Sequence, residues 1–205
     1  LRLWDRVRAY IPEFVPYIQE GGLPGEEARL FHLLTHMSGL PPYTDPKEVT
    51  AKYGDPCSTE DLVKHIAGLR KELPPGQEFV YSCLNYITLA RIVKLVSGEN
   101  LADFCQKNIF TPLKMKDTMF NPPVELRPRC VPTEMINGQP LRGVVHDPLA
   151  RLQGGISGNA GLFSTADDLA IFAQMMINKG EFKGVRILSP LAVERMTEIF
   201  PLLNS

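Results

Sequence analysis

The 205 residues are 44% hydrophobic and 22% charged, the composition of an ordinary globular chain. Twenty-two basic against 23 acidic side chains leave a net charge of −1. Without a basic stripe or patch, the chain lacks what binding to nucleic acid or an anionic lipid surface requires, and its apolar runs are too short for a membrane-spanning helix. A chain of this length can bury about 70% of its unfolded surface, enough for a core of its own. Cys57, Cys83, Cys105 and Cys130 lie far apart with no CxxC pair, so they carry no metal or redox signature and leave the compartment open. The chain opens at Leu1-Arg2-Leu3 without Met or a signal-peptide pattern and stops at Asn204-Ser205 directly after a helical pattern. Both ends are expected to be cuts through a longer protein.

Leu3 to Phe14 mixes apolar and charged residues and predicts a short helix ending at Pro12. Gly21-Gly22-Leu23-Pro24-Gly25 is a turn cluster. Glu26 to Met37 predicts a helix with Leu30, Leu33, Leu34 and Met37 on one side, closed by Gly39 as a left-handed cap and by Pro41-Pro42. Ser58, with Asp61 three residues later, opens the next helix, whose buried stripe is Leu62, Val63, Ile66 and Leu69. Pro74-Pro75-Gly76 breaks the chain again, and Glu78-Phe79-Val80 is a short extended piece.

From Ser82 to Ser97 polar residues recur at every third position (Ser82, Asn85, Thr88, Arg91, Lys94, Ser97) with apolar residues between them. On a 3.6-residue helix that spacing spirals around the axis and leaves no wholly polar face, so this helix is expected to be central and largely buried. Gly98 ends it, and Asn100 with Asp103 caps a helix through Phe110. Residues 111–163 are rich in proline and glycine and predict a long structured loop region, a kind of segment that often lines functional sites. The last helices run from Ser164/Thr165 to Asn178, with Leu169, Phe172, Ala173 and Met176 inward, and from Ser189 onward with Pro190 at the first helical position.

Three stretches, in this order, carry a resemblance. Leu33-Leu34-Thr35-His36-Met37-Ser38-Gly39-Leu40 resembles the "LLTHTSGL" segment of the serine β-lactamase and penicillin-binding-protein-like hydrolases. Tyr81-Ser82-Cys83-Leu84-Asn85-Tyr86 through Val96-Ser97-Gly98 is similar to that family's "YSNxNYxLLGxIIExVSG" region. Gly154-Gly155 through Gly158-Asn159-Ala160-Gly161-Leu162-Phe163-Ser164-Thr165 to Leu169 looks like its "GGxxGHAGLFSTAxDL" segment. Further matches at Pro112 to Met119 and Gly184 to Pro190 extend the resemblance over almost the whole chain.

The resemblance implies a mainly α architecture: the helical subdomain of the β-lactamase/transpeptidase-like α/β fold, with most of the antiparallel sheet missing. Residues 1–205 would then be a partial β-lactamase-related domain, truncated at both ends. It further implies a parent serine hydrolase that forms a Ser-acyl intermediate on a β-lactam, a D-alanyl peptide or a carboxylic ester. Such an enzyme takes a small-molecule or peptide substrate, needs no metal and no organic cofactor, and usually works outside the cytoplasm. The chemistry uses three motifs: a Ser-x-x-Lys, a Tyr- or Ser-x-Asn, and a Lys/His-Thr/Ser-Gly. A serine hydroxyl is a poor nucleophile until a neighbouring base takes its proton, which Lys and Tyr share.

Only the second motif matches here. Tyr81 falls on the family's tyrosine and is the candidate catalytic residue for proton transfer, with Ser82 and Cys83 lining the site. Cys83 stands where the pattern has Asn, and a thiol is a weak donor and acceptor beside an amide. No Ser-x-x-Lys occurs, nor a Lys/His-Thr/Ser-Gly. Loss of a serine nucleophile costs about a million-fold in turnover, so these residues alone are expected to be inactive. The alternative is a catalytically silent family member that binds peptidoglycan-like peptides or a protein partner, a reading motivated by Cys83.

Other motifs are weaker. His32 and His36 are four apart, but Leu33 follows His32 where the zinc-protease motif needs Glu, so His36 reads as a structural hydrogen-bonder. The glycine run 154–161 lacks a phosphate-loop ending, and Gly155-Ile156-Ser157-Gly158-Asn159 misses the last glycine of a nucleophile elbow, so the segment reads as a flexible loop.

Overall fold

The computed structural model describes residues 1–199. Among these, nine α-helices are joined by loops and short 3-10 or π turns, and the only strands are six two-residue pieces paired antiparallel in three separate ladders. The architecture is mainly α with little sheet, as the sequence predicts. The chain divides into two compact units, one formed by residues 1–101 and 145–161, the other by residues 102–144 and 162–199.

The first unit is built on α1 (Leu30–Leu34), α2 (Pro46–Tyr53), α3 (Thr59–Gly68), α4 (Cys83–Ser97) and the later α7 (Pro148–Leu152). Each start has a chemical cause. The Asp45 side chain accepts from the Lys47 N–H ahead of α2, Ser58 accepts from Asp61 N–H ahead of α3, and Asp147 accepts from Ala150 N–H ahead of α7. Helix α4 packs against α1 and α3. Its Leu84, Ile87 and Ile92 join Phe14, Leu33, Leu62, Ile66 and Leu149 in one core, each such side chain contributing about 1.5–3 kcal/mol by burial.

The second unit contains α5 (Leu101–Cys105), a π turn over Gln106–Phe110, α6 (Thr111–Leu113), α8 (Ala166–Ile177) and α9 (Pro190–Thr197). Phe110, Leu113, Met115 and Met175 form its core. Strand β1 (Met119–Phe120) pairs with β4 (Leu162–Phe163), β2 (Met135–Ile136) with β3 (Gln139–Pro140), and β5 (Glu181–Phe182) with β6 (Val185–Arg186). Thr165 caps α8, and Ser189 caps α9 with Pro190 in its first turn.

Several expectations change. Leu3 to Phe14 holds only the 3-10 turn Val7–Ala9, because the Val7 N–H and the Arg6–Arg29 bridge tie this segment to residues 28–29. The same tie keeps Ala28 and Arg29 extended, so the helix expected over Glu26 to Met37 shrinks to Leu30–Leu34, and Leu34 is exposed rather than inward. Helix α2 was not foreseen, although Asp45-Pro46 is an N-cap followed by proline at the first helical position. In α4 burial stops at Ile92. Ser82, Asn85 and Thr88 are fully enclosed, whereas Lys94, Leu95, Val96 and Ser97 face solvent. In α8 the inward side is Asp168, Ile171, Phe172, Met175 and Met176, while Leu169 and Ala173 are exposed. The 111–163 stretch is interrupted by α6 and α7.

Candidate active site

The first unit carries a cleft of about 330 Å³ lined by His36, Tyr81, Ser82, Cys83, Tyr86, Gly158 and Asn159. It lies at the start of α4, where a fully buried polar layer backs it. Thr88 Oγ1 donates to the Leu84 carbonyl at 2.7 Å, and Ser82 Oγ to the Pro41 carbonyl at 2.7 Å. Ser38 Oγ donates to Asn85 Oδ1 at 2.5 Å. Every one of these bonds matters because a buried group left without its partner costs about 1–3 kcal/mol. Asn85 is thus a structural strut and does not replace the amide absent at position 83.

His36 is the hub of this layer. Helix α1 ends just before it, and its φ of 57° is left-handed, a conformation costing a non-glycine residue about 1–3 kcal/mol. That turn brings its ring beneath the start of α4. Nδ1 accepts from the Ser82 backbone N–H at 3.1 Å and lies 3.2 Å from Asn85 Nδ2. Since Asn85 Oδ1 accepts from Ser38, its amide nitrogen faces the imidazole. A backbone N–H can only donate, so Nδ1 is unprotonated and the neutral ring carries its proton on Nε2. Burial pushes the His36 pKa below its ordinary value.

Tyr81 stands on the irregular segment before α4 and is 62% exposed. Its ring lies against His36 with centroids 4.6 Å apart and planes tilted by 34°. Tyr86 flanks His36 at 5.1 Å and donates its hydroxyl to the Leu34 carbonyl, and Phe79 meets His36 edge-on at 5.7 Å. The Tyr81 hydroxyl has no bonded partner among the described residues, and the residue lines the cleft. Ser82 contributes its backbone; its hydroxyl is buried and engaged.

Cys83 is half-buried at the first position of α4, and its N–H donates to the Pro42 carbonyl. Burial pushes its thiol pKa up, the Asn159 amide pulls it down by less, and Asp147 raises it further. The neutral thiol is therefore the resting form, and a neutral thiol is not a nucleophile.

Asn159 was not singled out from the sequence. Gln153 Nε2 donates to Ser157 Oγ at 2.9 Å, and Ser157 Oγ donates to Asn159 Oδ1 at 2.8 Å. This relay fixes the amide and leaves Asn159 Nδ2 buried without a well-formed hydrogen bond. The segment is not the flexible loop expected. Ser157 is 2% exposed, and a Cβ at Gly158 would sit 1.9 Å from the Tyr86 carbonyl oxygen, so only glycine lets the loop lie on α4. The signal was Gly158 itself, since a loop glycine can mark close backbone approach as well as mobility.

The remaining candidates lie apart from this chemistry. His32 Nδ1 accepts from the Arg29 N–H at 3.1 Å, and with His36 Nδ1 also engaged the pair does not present two open ring nitrogens at that position. Two threonines do have a lysine three residues on. Thr44 Oγ1 is bonded to His65 Nε2 at 2.9 Å, and Thr111 Oγ1 accepts from Gln106 at 3.0 Å, so neither is a cleft nucleophile. Asp147 accepts from the Tyr43 hydroxyl at 2.9 Å and caps α7, so it anchors the loop ahead of that helix.

Solved structures of the β-lactamase/transpeptidase-like fold match nearly all of this chain over about half of their own length, so the helical packing is the helical part of that fold. The profile of the β-lactamase family matches residues 1–201, and the chain belongs to that family. It is 30% identical over 217 residues to the N-acetylmuramyl-L-alanine amidase of Bacillus subtilis, covering 96% of this chain and 48% of that protein. It is 28% identical over 212 residues to an Escherichia coli K12 protein provisionally assigned as a D-alanyl-D-alanine carboxypeptidase, covering 94% of this chain and 48% of that protein. The β-lactamase/D-alanine carboxypeptidase of Yersinia pestis superposes with a TM-score of 0.66 at 24% identity, over 98% of this chain and 52% of that one. The chain spans about half the length of the curated relatives it matches.

Proposed function

We propose that residues 1–205 serve a longer serine hydrolase that transfers an acyl group through a Ser-acyl intermediate, and that they supply the tyrosine wall of its cleft. The observation that carries this reading is Tyr81: an exposed phenol, braced by His36, at the mouth of a cleft whose other polar side chains are mostly engaged. A hydroxyl in that position can take the proton from an attacking serine and return it to a leaving group. The nucleophile comes from outside these residues, since the chain has no Ser-x-x-Lys and Cys83 rests as a neutral thiol. The 205 residues alone are inactive on this reading.

The relatives' names favour peptidoglycan-derived peptides as the substrate class, with β-lactams and activated esters as shorter acyl donors. Cys83 offers a weaker hydrogen bond than an amide would, which favours reactive acyl groups that need less polarisation. The test is labelling of the full-length protein with a fluorescent penicillin and with an activated ester, followed by mass mapping of the modified residue. A stoichiometric adduct on a Ser-x-x-Lys serine outside residues 1–205 is expected. A full-length protein that contains that motif and forms no adduct with either probe refutes the hydrolase reading and leaves the peptide-binding alternative.

A further inference from the structure

We propose that His36 is the positioning residue for Tyr81, holding the phenol in place from three sides and releasing it when the imidazole is protonated. The inference rests on the acyl-transfer reading for its activity readout but stands on its own geometry. Tyr81 belongs to no helix or strand and is 62% exposed, so neither a backbone ladder nor a core fixes its ring. The residues on either side of it are both bonded to His36. The Val80 N–H donates to the His36 carbonyl at 2.9 Å, and the Ser82 N–H donates to His36 Nδ1 at 3.1 Å. Between these two bonds the Tyr81 ring rests on the imidazole at 4.6 Å. One residue therefore grips three successive residues through its main chain, its ring edge and its ring face.

The left-handed backbone of His36 makes this possible, because it turns the carbonyl and the side chain of the same residue toward one segment. The clamp is itself held. Asn85 Nδ2 approaches Nδ1 at 3.2 Å, and Asn85 is tied to Ser38. The titratable groups facing the imidazole are Tyr81 and Tyr86, with Cys83 in the same cleft, and among the described residues no carboxylate or cationic side chain acts on it.

Protonation at Nδ1 would set two N–H groups against each other at the Ser82 contact and break the bond that fixes the C-terminal side of Tyr81. Burial holds this event below the ordinary histidine range. Tyr81 should thus be locked at neutral pH and loosen as the medium becomes acidic. A misplacement of a reacting group by about 1 Å can cost a hundredfold in rate.

The test uses the full-length protein, with ester hydrolysis measured against pH and His36 and Tyr81 followed by NMR in the same samples. In the wild type, kcat falls on acidification with the midpoint of the His36 titration while KM changes little, and the Tyr81 ring resonances move with that midpoint. His36→Asn keeps an acceptor near the Nδ1 position but loses the ring face and does not titrate; it should lower kcat by less than His36→Phe does and lose the acid limb. His36→Phe keeps a ring but strands the Ser82 N–H, and should lose about a hundredfold in kcat. Tyr81 resonances that ignore the His36 titration, or a His36→Asn acid limb identical to the wild type, overturn the clamp. If the wild-type protein hydrolyses nothing, the acyl-transfer reading fails, and the Tyr81 resonances still decide the clamp by themselves.

Discussion

Both units bury a polar cluster, and the clusters end differently. In the second unit Asp168, 7% exposed, accepts from the Asp117 N–H and from Thr118 Oγ1, each at 2.8 Å. Thr118 Oγ1 also lies 2.8 Å from Ser164 Oγ, and Arg129 grips Asp117 through two bonds at the surface. The bonds close on one another, and the result is a staple on the first turn of α8. In the first unit Ser38, Asn85, Ser82 and His36 form a similar chain, but its last member presents a ring to an exposed tyrosine. Buried polarity that closes on itself holds a helix; buried polarity that ends at a cleft aims a side chain.

The largest expected effect separates the two roles. Asp168→Ala strands two donors, at about 1–3 kcal/mol each, and denaturant unfolding should show the loss while the Tyr81 and His36 NMR signals stay in place. Movement of those signals would erase the distinction between staple and cleft. Lys71 gives an effect of opposite sign. The residue is 2% exposed, and its ammonium lies 3.9 Å from the Phe14 ring centroid and donates to the Ala67 and Leu69 carbonyls near the end of α3. Burial outweighs these contacts and pushes its pKa down to about 7. The unfolded chain then binds more protons than the folded one between about pH 7 and the ordinary lysine value near 10.4, so this group makes stability rise with pH across that window. Lys71→Met should stabilise the fold by about 1–4 kcal/mol near neutral pH and flatten that rise, as buried charges replaced by apolar groups often do.

Gly158→Ala comes next. Its Cβ would meet the Tyr86 carbonyl at 1.9 Å, and displacing backbone in a packed site costs about 1–3 kcal/mol; thermal unfolding measures the loss, and Cys83 alkylation should accelerate as the Asn159 loop lifts. An unchanged midpoint would return the loop to the mobile class. The smallest effect on stability belongs to Tyr81→Phe, within about 0.5 kcal/mol for an exposed side chain.

The sequence made α3, α8 and α9 legible because each begins with a side chain that accepts from its own first turn, and α4 through the polar residues at every third position. It also pointed to Tyr81, Ser82 and Cys83, through motif resemblance. What it concealed depends on distant partners. Ala28 and Arg29 look helical but are held extended by Val7 and Arg6. The polar spiral of α4 predicts burial throughout, yet Lys94 to Ser97 face solvent. Gly158 and Asn159 read as loop because nothing local shows that Tyr86, 72 and 73 residues earlier, and Cys83 lie against them. His36 was read as a structural hydrogen-bonder, and that is what it is; that its partners flank the candidate tyrosine emerges only when residues 36 and 82 meet.

Comparing the acylation rate of the full-length protein with that of its Tyr81→Phe variant, at equal thermal midpoint, addresses the role of the tyrosine most directly. Proton transfer by Tyr81 predicts a fall of about 10²–10⁴-fold in labelling by a fluorescent penicillin or an activated ester. A variant that labels as fast as the wild type contradicts it and leaves Tyr81 as an exposed aromatic at the start of a helix.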